Sequence, residues 1–66
     1  MNIEVNGTGR AFPAGGSVRD LLDELGLDPR MVVVERNREI VRREELDDVQ
    51  VADGDRFEIV QFVGGG

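Results

Sequence analysis

One stretch of this chain has the period of an amphipathic helix, and the rest must be arranged around it. Val18, Leu21, Leu22 and Leu25 fall at i, i+3, i+4 and i+7, a single apolar stripe. Arg19, Asp23 and Glu24 take the opposite, wet face. Ser17 is placed to cap the N-terminus, and Asp20 stands where a capping box puts its reciprocal acceptor. Gly26 supplies a left-handed stop, and Pro29 forbids continuation. The spacing predicts a helix over 18–25. A single helix of that length covers one face of a sheet and leaves the other wet.

The flanking segments read as strands. Ile3 and Val5 alternate with Asn2, Glu4 and Asn6, and Arg10-Ala11-Phe12 resumes extended structure after a turn at Gly7-Thr8-Gly9. Residues 2–13 therefore read as a hairpin ended by Pro13. Met31-Val32-Val33-Val34 is a continuous run with apolar side chains for both faces, and Asn37-Arg38 turns it towards Glu39-Ile40-Val41. Residues 42–48 are mostly charged around Leu46, which suits a short helical turn or loop. Val49 and Val51 alternate again, Asp53-Gly54-Asp55 is a turn, and Arg56 to Val63 is the last strand. Hairpin, helix and further strands in one small domain is the order of an α+β, β-grasp (ubiquitin-like) fold, with a mixed sheet and one main helix on one face. The domain is expected over residues 1–63, with Gly64 to Gly66 a flexible tail.

Composition narrows the chemistry. With 66 residues the core is small, and no cysteine is present to staple it by disulfide or thiolate metal site. That is compatible with a reducing, cytoplasmic setting. Met1 to Val5 has neither the basic nor the apolar region of a signal peptide, and no apolar run approaches a membrane span. A net charge of −6 disfavours nucleic acid and anionic membrane as partners and favours a basic groove on another protein. The Arg36, Arg38, Arg42 and Arg43 group reads as a solvated turn paired with Glu35, Glu39, Glu44 and Glu45, since no aromatic residue interleaves it. His, Cys, Tyr and Lys are all absent, so an activated nucleophile with its usual base cannot be assembled, and the chain is not expected to be an enzyme. Asp47-Asp48 and Asp53-Gly54-Asp55 lack EF-hand spacing, and neither Gly7-x-Gly9 nor Gly15-Gly16 completes a phosphate loop. No metal site is expected.

The last strand and the glycines after it carry the functional expectation. Phe57 and Ile59 point to one face of the sheet, Val60 and Phe62 to the other. With one face covered, Val60 and Phe62 form an exposed apolar docking patch leading into Val63, unless a β-bulge shifts the phase and buries all four. Gly64, Gly65 and Gly66 build no core but make a thin backbone, reaching roughly 10 Å when extended. Such a tail enters a narrow slot in a partner and presents the α-carboxylate of Gly66. The alternatives are a frayed end or a binding module whose glycines do nothing.

The pattern Val34-Glu35-Arg36-Asn37-x-Glu39-Ile40-Val41, then Asp53-Gly54-Asp55, then Glu58-Ile59-Val60-x-x-Val63-Gly64-Gly65-Gly66, resembles the ThiS family of thiamine-biosynthesis sulfur carriers. Arg42 and Leu46 stand where that family often has Pro and Trp. The resemblance implies a carrier that binds no cofactor itself. It further implies that an adenylating, E1-like enzyme using ATP and magnesium activates Gly66, with Gly65 as the second residue of the pair. By the same resemblance, a sulfur donor system would then convert it to a thiocarboxylate, which would deliver sulfur to thiazole synthase. The small subunit of molybdopterin synthase shares the fold and the Gly-Gly ending, but those chains tend to be longer and often carry proline before the tail, where Phe62-Val63 stands here.

Overall fold

The computed structural model describes residues 1–62; Val63 and Gly64 to Gly66 lie outside the described residues. Five strands, β1 (Asn2–Val5), β2 (Thr8–Ala11), β3 (Val32–Arg36), β4 (Glu39–Val41) and β5 (Arg56–Gln61), form one sheet in the order β2-β1-β5-β3-β4. All neighbours are antiparallel except β1 and β5, which run parallel, so the sheet is mixed and the last strand is its centre.

Helix α1 spans Val18–Leu25, the range its caps predict. Ser17 Oγ accepts from the Asp20 N–H, and Asp20 Oδ2 accepts from the Ser17 N–H, completing the capping box. At the other end Gly26 is left-handed with φ 72°. The Gly26 N–H then reaches the Asp23 carbonyl, and the Leu27 N–H the Leu22 carbonyl. Val18, Leu21 and Leu22 are buried with Ile3, Phe12, Val32, Val34, Leu46, Val51, Phe57 and Ile59 in one core. Leu46, the lone apolar residue of its charged segment, is drawn into that core after a single 3-10 turn at Arg43–Glu45.

Three local expectations need correction. The first hairpin turns at Asn6-Gly7, not at Gly7-Thr8-Gly9. Both turn residues have positive φ (50° and 81°), the mirror-image geometry that matches strand twist, so Thr8 and Gly9 are released into β2. Met31 belongs to a 3-10 turn, Pro29–Met31, capped by Asp28, and β3 begins one residue later. Val49 and Val51 form no strand, because their peptide groups are taken by the entry to the helix. The Val18 N–H donates to the Val49 carbonyl and the Val51 N–H to the Gly16 carbonyl, each at 2.9 Å.

Candidate functional site

Parity along β5 decides which side chains the helix covers. Phe57 and Ile59 are buried, while Val60 and Phe62 are 60% and 50% exposed. No bulge intervenes, because the β3–β5 register runs without a break from Arg36↔Phe57 to Val32↔Gln61. The open face therefore carries an apolar patch at the end of the central strand, immediately before the glycines. Two further residues join it. Half-buried Val33 lies directly opposite Val60, and Ile40, 59% exposed, lies opposite Glu35 on the same face. Val33 is legible in sequence as the second face of an apolar strand, but its place beside Val60, and that of Ile40 beside Glu35, depend on register.

Beside the apolar residues the open face is acidic. Glu35 and Glu58 are direct cross-strand partners, a like-charge pairing that costs stability when nothing lies between. Farther along, Glu4 is 3.7 Å from the Arg56 guanidinium. Apolar centre and acidic border together suit a partner surface with an apolar pocket rimmed by Arg or Lys.

The start of β5 is fixed by a buried carboxylate. Asp55 is 5% exposed, and its oxygens accept from the Ala52 N–H (2.8 Å), Arg36 Nε (2.8 Å) and Asn37 Nδ2 (3.0 Å). Burial alone would push its carboxyl up, but the Ala52, Arg36 and Asn37 hydrogen bonds and the Arg36 charge together hold it below its ordinary value. Asn37 also accepts from the Arg56 N–H at 3.0 Å. The Asn37 and Asp53-Gly54-Asp55 segments, which carried much of the family resemblance, thus meet in space. Asp53 Oδ1 takes the Asn2 N–H, and the Asp55 carbonyl takes the Glu4 N–H, which sets β1 beside β5. These aspartates shape a turn, and among the described residues no group of three metal-type ligands comes together. Arg36 accordingly pairs with Asp55 rather than with a nearby glutamate, while Arg42 approaches Glu44 at 3.9 Å.

Val63, Gly64, Gly65 and Gly66 lie outside the described residues, so their roles stand on sequence. What the structure places is the strand that leads to them, held on both sides at the middle of the sheet.

A two-strand hairpin, one crossing helix and a parallel last strand at the sheet centre define the ubiquitin-like, β-grasp class of protein. Within it the chain belongs to the ThiS family, whose model matches residues 2–66. It is similar to the sulfur carrier protein ThiS of Bacillus subtilis, with 47% identity over 51 residues, 77% of each chain. A crystal structure of the thiamine biosynthesis protein ThiS from Geobacter metallireducens superposes with a TM-score of 0.83 at 38% identity, covering all of both chains. The whole chain is also 52% identical to part of a thiazole synthase from Paramagnetospirillum magneticum, of which it spans only 20%.

Proposed function

We propose that this chain is a sulfur carrier in thiamine biosynthesis and that the Gly66 carboxylate is its working group. The observation that carries the reading is the family match, which extends from the first strand through the glycines to residue 66. An ionised carboxylate resists nucleophiles. A carboxylate oxygen of Gly66 attacks the α-phosphorus of ATP on an adenylating enzyme, with magnesium supporting the leaving pyrophosphate. A sulfur nucleophile from an external donor then attacks the acyl carbon. The C–S bond forms as the C–O bond to AMP breaks, leaving a thiocarboxylate. The sulfur must come from outside, since the chain has no cysteine.

Thiazole synthase is the acceptor in this reading, supported by the relative in which a domain like this one forms a fifth of such an enzyme. Val60, Phe62 and Val63 dock the carrier on its partners, and Gly64-Gly65 pass through a slot that a Cβ would obstruct. Positioning a carboxylate in line with phosphorus in this way removes several kcal/mol from the barrier, about 7 kcal/mol or more in well-oriented systems.

The test is ATP–pyrophosphate exchange catalysed by the adenylating enzyme, comparing a chain that ends at Gly66 with one carrying a single added residue. Exchange should vanish with the added residue and with deletion of Gly66, while the melting temperature stays unchanged. Equal exchange in all three would refute the assignment of Gly66.

A further inference from the structure

The central strand has neighbours on both sides for only part of its length. Its peptide groups alternate in direction. The Arg56 carbonyl accepts from the Asn37 N–H and the Phe62 N–H donates to the Met31 carbonyl, each at 2.8 Å, so the even-numbered groups face β3 and the turn segments that flank it. The odd-numbered groups face β1, where the Phe57 carbonyl accepts from the Asn6 N–H at 2.8 Å. At Asn6 the backbone turns out of the sheet with φ 50°, and its side chain takes over. Asn6 Oδ1 accepts from the Ile59 N–H at 2.8 Å, and Asn6 Nδ2 donates to the Ile59 carbonyl at 3.1 Å. A planar side-chain amide thus stands in for one more strand residue, and beyond it no described residue pairs with that edge.

Gln61 carries the next N–H and C=O on that edge. Among the described residues nothing from β1 or β2 lies alongside it, and the residue is exposed. Next to it is an apolar groove of about 370 Å³ lined by Val5, Asn6, Leu25, Leu27, Ile59 and Gln61. This groove opens on the helix side of the sheet, away from the Val60–Phe62 patch. Among the described residues the fold therefore leaves, at the end of the central strand, an unpaired peptide edge and an apolar slot beside it.

We infer that thiazole synthase adds an extended segment of its own at this edge, as a short strand paired with Gln61 and with one apolar side chain set between Val5, Leu25 and Leu27. The inference rests on the sulfur-carrier reading. The complement of an N–H and C=O on one strand edge is another extended backbone, and alternate side chains of an added strand fall into pockets beside it. The synthase is argued as the occupant, over the adenylating enzyme that takes the same tail, because a domain similar to this whole chain forms a fifth of a thiazole synthase. The outer edges, β2 and β4, are four and three residues long and lie at the far margins of the sheet, remote from that exit. Asn6 acquires a role here as the positioning residue that ends β1 pairing and opens the edge.

The decisive comparison uses the full chain made by total synthesis, unmodified and with the Gln61 peptide nitrogen methylated. That methyl group removes an N–H facing away from β3, so the β3–β5 ladder is left intact. Calorimetric titration against thiazole synthase should give a dissociation constant raised about tenfold or more by the methyl group. In the unmodified chain, exchange of the Gln61 amide hydrogen should be fast when free and protected in the complex. If the unmodified chain binds but the methyl group changes nothing and Gln61 stays unprotected, strand addition is wrong and the carrier reading survives. If the unmodified chain does not bind the synthase at all, the proposed acceptor and the strand addition fall together.

Discussion

Asp55 shows what a single residue contributes beyond its local sequence. In sequence it is the second aspartate of a turn, and its neighbours mark it for nothing else. Its burial follows from partners 18 and 19 positions away, Asn37 and Arg36, which only the fold brings near. Replacing it with Asn keeps the shape but loses the charge-assisted bonds, and should cost about 2 kcal/mol of stability at neutral pH. The pH dependence has a fixed sign. Because the folded carboxyl titrates below its ordinary value of 3.8, its stabilisation is fully present above that value and is lost as pH falls through the lower, folded value. Urea midpoints of the parent and Asp55→Asn should therefore be separated by a constant amount from neutral to mildly acidic pH, then converge under strongly acidic conditions. A gap that widened on acidification would contradict the assigned network.

Elements whose signals are local are legible in the sequence down to their boundaries. The helix is the clearest case, since Ser17, Asp20 and Gly26 each act within a turn of themselves. The turn of the first hairpin is less legible because two glycines, Gly7 and Gly9, compete for it, and only the Asn6-Gly7 pair satisfies two positive φ angles. Residues 49–51 alternate like a strand, yet they pair with the helix entry, a long-range choice that alternation cannot encode. The β3–β4 turn offers a test. Asn37 and Arg38 have φ of 51° and 71°, so Arg38 sits where a Cβ is unfavourable by about 1 kcal/mol or more. Arg38→Gly should stabilise by about 0.5–1 kcal/mol after the added freedom of the unfolded chain is subtracted, raising the melting temperature by about 2–8 °C. Arg38→Val should lower it. Calorimetry of the three proteins decides the point, and an unchanged or lowered temperature for the glycine variant would show that Arg38 is not strained.

For the molecule as a whole, the single helix makes the sheet two-sided, and that asymmetry is legible in the sequence. Which strand lies at the centre, that Val33 lies beside Val60, and that Ile40 lies beside Glu35 on the same face, is not, because these depend on the register of β3 against its two neighbours. Since Val60 and Phe62 are at least half exposed, Val60→Asp and Phe62→Asp should each change stability by less than about 0.5 kcal/mol. Each should nevertheless weaken association with thiazole synthase or the adenylating enzyme by about tenfold or more. Parallel measurement of melting temperature and affinity separates the two effects, and a large loss of stability would mean that these side chains support the core. The central claim, that Gly66 carries sulfur, is tested most directly by the intact mass of the protein isolated from its own host under thiamine limitation. The account predicts a fraction heavier by one oxygen-to-sulfur exchange, located on the C-terminal peptide and diminished when thiamine is supplied. With the adenylating enzyme present, an unmodified mass alone would contradict it.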